Sequence, residues 1–162
     1  KVICSESAFK SLKDIGFTAV EVLAPSDKIE FEGLKIEATS GAPVPSIENG
    51  YILETQNGSF YIEPHGFFDK KIKQRKLDAV ITPTKNLGLP IVGSFVKGAD
   101  VVSELIEAFN PNYILSSTIG GDAQYSGLMN KFISIDELNN EIDCNLVELE
   151  SLQSINISKS IN

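Results

Sequence analysis

The only histidine of this 162-residue chain, His65, stands in Glu63-Pro64-His65-Gly66, where a strand gives way to a loop. An imidazole titrates near neutral pH and ligates metals, so a histidine two residues from a carboxylate has the makings of a general base or a metal ligand. Proline and glycine fix the backbone on either side, so the ring is presented by a rigid scaffold. The plainer reading is a histidine hydrogen-bonded within its loop. Metal sites use three or more ligands. With no second histidine, His65 and Glu63 supply at most part of a set.

Two other segments have spacing of interest. Gly120-Gly121-Asp122 follows an apolar strand and precedes a helical pattern, an arrangement that can cradle an anion on backbone N–H groups. It lacks the Lys-Ser/Thr of a P-loop, and Asp122 as a simple helix N-cap is the competing reading. Lys85–Gly98, KNLGLPIVGSFVKG, reads as a long apolar loop that covers the core or walls a site. No Gly-x-Ser-x-Gly elbow occurs, neither cysteine has a histidine near it in sequence, and no catalytic nucleophile stands out.

The elements that must hold these residues are legible as patterns. Around His65 the organising stretch is Asn49–Gly66, with Asn57-Gly58 expected to form a type I′ turn between two strands. Upstream, Val2–Cys4 reads as a strand and Ser5 as the cap of a helix ended by Gly16. Phe17–Ala24 reads as a strand, and Lys28–Phe31 with Leu34–Thr39 as a hairpin about Glu32-Gly33. Downstream, residues 67–77 form a loop or short helix and Ala79–Thr82 a strand. Ala99–Phe109 is a helix stopped by Asn110-Pro111, and Tyr113–Ser117 the next strand. Tyr125–Phe132 is helical in pattern, Ser134-x-x-Glu137 is a capping box heading a helix over Asp136–Ile142, and Asn145–Leu149 is a last strand. The expectation is an α+β or α/β protein with helices layered outside a mixed sheet, one domain over 1–150 and a polar tail over 151–162.

Composition narrows the functions. The net charge of −8 argues against nucleic acid as a partner, and no apolar run reaches the roughly 18 residues of a membrane helix. The basic run Lys70–Lys76, KKIKQRK, is a solvated face, with anion binding as the sharper alternative. Cys4 and Cys144 read as reduced core residues, which fits a cytoplasmic setting. The chain starts at Lys1 with no initiator methionine and opens directly on a strand without a signal-peptide pattern, so it reads either as a chain whose N-terminal segment was removed or, the favoured reading, as a piece of a longer protein.

Taken together, KVICSESAFKSLKDIGFTAVEVLAPSD, EATSGAPVP, ENGYILET, SFYIEPHG, LDAVITP and YILSSTIGGD resemble the metallo-β-lactamase superfamily over residues 1–133. Within it the likeness is to the cyanobacterial and plant-type branch of metallo-hydrolase-like proteins, which would add the chloroplast as a location in a eukaryote. The resemblance implies an αββα sandwich incomplete at its N-terminus. It also implies zinc or a similar divalent ion, whose bound water, with its pKa lowered to about 7, attacks an ester, amide or phosphodiester. The family's His-x-His-x-Asp-His cluster is absent and would lie before Lys1. Where the family carries a histidine before the central hairpin, a bridging aspartate after it and a final histidine, this chain has Gly41–Pro45, Glu63-Pro64-His65 and Ser117-Thr118. On the resemblance, His65 and Glu63 remain to ligate a metal, but the four or five ligands of the family cannot be assembled from this chain. The expectation is therefore one ion or a vestigial site, and a chain inactive by itself. On the same resemblance Thr118, Gly120, Gly121 and Asp122 line the pocket, and the partner is a small-molecule substrate or ligand. The rival expectation is a non-catalytic module on the same scaffold that holds a small anion.

Overall fold

A computed structural model describes residues 1–43, 47–89, 93–117, 134–136, 142, 144–150 and 152–157. A seven-stranded mixed sheet forms its centre. Its order is β12 (Asn145–Val147), β10 (Tyr113–Ser117), β7 (Ala79–Pro83), β6 (Ser59–Ile62), β5 (Asn49–Glu54), β4 (Leu34–Ser40) and β3 (Lys28–Phe31). The strands from β12 to β6 run parallel, and those from β6 to β3 form an antiparallel meander. Beside it lie a parallel pair, β1 (Val2–Cys4) with β2 (Val20–Val22), and a three-stranded sheet in the order β11 (Ser134–Asp136), β8 (Asn86–Leu89), β9 (Gly93–Lys97). Two helices complete the described elements, α1 (Glu6–Asp14) and α2 (Gly98–Phe109).

Strand alternation sends side chains to both faces of the main sheet, and both faces are covered. On one, Ile52, Tyr61, Val80 and Ile114 pack with Leu77 against Leu105, Ala108 and Phe109 of α2. The Tyr61 and Phe109 rings lie 5.1 Å apart, and Phe68 stands edge-on to Phe109 at 6.1 Å. On the other, Ile36 and Ala38 of β4 pack with Leu23, supported by Ile3, Tyr51 and Leu53. The sequence pattern locates α2 well. Val102, Leu105 and Phe109 are buried as its periodicity requires, and Asn110 closes the helix in the left-handed region at φ 39°.

Four expectations need correction. The Asn57-Gly58 turn is not type I′, since neither residue has positive φ. Instead Thr55–Gly58 form a four-residue loop, in which Thr55 Oγ1 accepts from the N–H groups of Asn57 and Gly58 at 3.1 and 3.2 Å. The hydroxyl satisfies donors that a tighter turn would leave to water. The positive φ pair falls at Glu32 and Gly33, between strands that pair Phe31 with Leu34.

The segment Lys85–Gly98 is not a loop: β8 and β9 form an antiparallel hairpin within it. Its glycines make the pairing possible, for a Cβ on Gly88 would stand only 3.2 Å from the Gly93 carbonyl oxygen. Ser134, expected to cap a helix, instead pairs, with its neighbours up to Asp136, as β11 against β8, and the rest of the expected helix up to Ile142 falls, apart from that last residue, outside the described residues. A tertiary partner outweighs a local helix signal. The strand over Phe17–Ala24 shortens to Val20–Val22, since the chain before it stays wrapped on the end of α1, with Phe17 N–H donating to Leu12 O at 3.1 Å. The expected helix over Tyr125–Phe132 lies outside the described residues. Among these residues no helix is long and apolar enough to cross a membrane, and neither Cys4 nor Cys144 forms a disulfide.

Candidate functional site

The site is built by the register of the β5–β6 hairpin. Tyr51 pairs with Ile62, and the same register continued by three residues sets Glu48 opposite His65. The structure uses that placement: His65 Nδ1 lies 2.8 Å from Glu48 Oε2, with both side chains about one-third exposed. The two atoms are close but not aligned as a hydrogen bond, so Nδ1 is left without a directional partner, and the contact is an ion pair only when the imidazole is protonated. Glu48 is held from the other side by its backbone. Its carbonyl accepts from Gly41 N–H at 2.8 Å, and its N–H donates to Ala42 O at 3.0 Å.

Glu63 continues β6 beyond its last paired residue, with its N–H donating to Ile81 O at 2.9 Å. Its side chain is fully buried. Oε2 accepts the His65 N–H at 3.0 Å, and Oε1 has no hydrogen-bond partner among the described residues. Burial pushes the Glu63 carboxyl above its ordinary range. The backbone amides of Phe67, His65 and Gly66 and the nearby imidazole oppose that rise without cancelling it. The turn that supplies these amides is fixed by Gly66, at φ 70°, and by the start of α2, where Lys97 N–H donates to His65 O at 3.2 Å.

Next to Glu63 along the sheet lies a row of hydroxyls. β7 pairs with β10 so that Thr82 stands beside Ser116. Ser116 Oγ is hydrogen-bonded to Thr84 Oγ1, whereas Thr82 Oγ1 and Ser117 Oγ are buried without a partner among the described residues. Four of the five unpartnered buried side-chain atoms among these residues, those of Glu63, His65, Thr82 and Ser117, therefore gather at the carboxyl edge of three neighbouring parallel strands. Open α/β sheets bind ligands at such an edge.

His65 and Glu63 are thus brought together, but in different roles. The imidazole is part-exposed, whereas the Glu63 carboxyl is turned onto backbone amides. Among the described residues no three His, Cys, Asp or Glu side chains converge as a metal ion requires. With Glu63 so engaged, only His65 and Glu48 remain as a possible pair, and the described residues do not fit a resident metal. Thr118, Gly120, Gly121 and Asp122 lie outside the described residues. Reasoning from the sequence missed Glu48 and Thr82. For Glu48 a signal existed, since positions 48 and 65 are placed symmetrically about the hairpin loop. Thr82 had none, because nothing in one strand says which neighbour its hydroxyl will meet.

No protein family matches the sequence, and no curated protein does. Solved structures do match. The metallo-β-lactamase fold protein YhfI from Bacillus subtilis superposes with a TM-score of 0.63 at 9% identity, over 92% of this chain and 61% of that one. The isothiocyanate hydrolase from Delia radicum gut bacteria gives 0.55 at 17% identity, over 70% and 50%. CmlA, a diiron beta-hydroxylase from Streptomyces venezuelae, gives 0.52 at 13% identity, over 74% and 31%. The chain spans between about a third and three-fifths of the length of these structures. At such identities the likeness speaks to architecture, and what it establishes is that this chain has the metallo-β-lactamase fold.

Proposed function

We propose that the chain contributes one edge of a hydrolase site on the metallo-β-lactamase scaffold, where water opens an ester, amide or phosphodiester bond of a small molecule. One observation carries the reading. An imidazole, two carboxylates and unpartnered hydroxyls gather at the carboxyl edge of parallel strands, in a fold whose solved members include a hydrolase. In this reading His65 accepts the proton of the attacking water and Glu48 stabilises the resulting imidazolium. A divalent ion such as zinc would need ligands beyond His65 and Glu48.

The second reading, a non-catalytic module for a small anion, is favoured by that same shortage of ligands. A panel of p-nitrophenyl acetate, nitrocefin and bis(p-nitrophenyl) phosphate separates the two, assayed with and without added Zn²⁺. The expected result is turnover of at least one substrate, lowered about a hundredfold or more in His65→Gln and Glu48→Gln while both variants melt like the wild type. Folded protein that is inert toward all three overturns the hydrolase and leaves the binding module.

A further inference from the structure

We propose that a second site, a cleft on the α2 side of β3 and β4, binds the phosphoryl group of a small molecule through Lys28, Lys71, Lys73 and Arg75. None of the cleft's residues is Glu48, Glu63 or His65, so the site stands apart from the sheet edge. The segment between Asp69 and Leu77 is neither helix nor strand. A turn closed by Ile72 N–H donating to Asp69 O at 3.0 Å carries Lys71, and Lys73 and Arg75 follow it along the same cleft. Ile72, between the first two, packs against the core. The basic run of the sequence is thereby sorted: Lys71, Lys73 and Arg75 line the cleft together with Ile72, while Lys70 turns away to Glu104 at 3.5 Å.

Charge decides what the cleft attracts. Its lining holds four cations and two carboxylates, Glu37 and Asp69, a surplus of two positive charges in a chain whose net charge is −8. Both carboxylates are already engaged. Glu37 lies 2.6 Å from Arg75 and 3.3 Å from Lys28, and Asp69 accepts the N–H groups of Ser40 and Lys71, each at 3.0 Å. Burial alone would raise both carboxyls, but these partners outweigh it and hold each below its ordinary value, so both are ionised near neutral pH. Glu54, 3.7 Å from the other Arg75 terminal nitrogen, lies outside the lining.

Lys71 and Lys73 are exposed and form no ion pair among the described residues, so their ammonium groups remain available. Arg75 Nε is buried with no hydrogen-bond partner among these residues, leaving one donor of a cleft-lining residue unspent. A phosphate monoester carries a charge of about −1.5 to −2 at pH 7, which matches the surplus. The cleft's volume of about 270 Å³ lies below the usual range for drug-sized ligands, so the ligand is compact.

Isothermal titration of the full chain with inorganic phosphate at low salt tests the proposal. The expected result is saturable binding of one phosphate per chain, weakened as salt rises. Lys71→Glu with Lys73→Glu should lower affinity by about tenfold or more, since each reversal turns attraction into repulsion. The corresponding Gln pair should give an intermediate loss. Lys10→Glu with Lys13→Glu on α1, of identical charge change, should leave affinity within about twofold. Absence of saturable binding by the wild type, or equal losses in the two Glu pairs, overturns the site. Malonate bound as tightly as phosphate overturns the ligand class.

Discussion

Gly98 meets Pro83 so closely that a Cβ on Gly98 would stand 2.2 Å from the Pro83 carbonyl oxygen. The first residue of α2 thus rests on the last residue of β7, and Gly66 completes the contact, with its own Cβ position 2.5 Å from Gly98 N. Three backbone segments converge where the His65 loop, the strand edge and the helix start must meet. The obstacles are main-chain atoms, which no side-chain rotation can move aside.

Gly98→Ala should therefore destabilise the protein by about 3 kcal/mol, at the upper end of overpacking effects. Gly58→Ala is the control. Its φ is not positive and its nearest neighbour, the Phe60 ring, would lie at an ordinary 3.5 Å, so its cost should stay within about 1 kcal/mol. Urea unfolding measures both, and equal midpoints would show that α2 docks with slack.

Glu63 predicts a pH dependence of a particular sign. Its folded-state carboxyl titrates above the unfolded value because burial disfavours the charged form. Its stabilising contribution is complete below the unfolded value near 4.5, and declines as pH rises through the folded one. Glu63→Gln removes this titration, so the variant should gain stability relative to wild type as pH rises from about 4.5 toward neutrality. Urea midpoints for the two proteins across that window supply the check. Parallel curves would mean that the carboxyl is as well solvated by its backbone amides as by water.

Thr82 separates structural from functional polarity at the edge. Its buried hydroxyl has no partner among the described residues, so Thr82→Val removes an unmet polar group at nearly constant shape. The change should be neutral or stabilising by up to about 1 kcal/mol. Thermal unfolding gives the answer. A loss of more than about 1 kcal/mol would reveal a hydrogen bond to a buried water, and would make the hydroxyl part of the polar lining of the site.

Much of the framework follows from the sequence alone. The 3.6-residue periodicity of Val102, Leu105 and Phe109 defines α2, and Asn110-Pro111 defines its end. Alternation and turn residues define the β3–β4 pair, and the segment order carries the likeness to the metallo-β-lactamase fold. These are local signals, determined by the shape and polarity of residues close along the chain. The rest was settled by partners distant in sequence. Ser134–Asp136 become a strand because β8 offers an open edge, and the hydroxyl of Thr55 chooses the loop that Asn57-Gly58 would otherwise have closed as a tight turn. The sequence also placed His65 at the end of a strand. That its imidazole faces Glu48 while the Glu63 carboxyl turns inward is a matter of hairpin register and burial, since register pairs residues 17 positions apart and burial is set by the whole packed sheet.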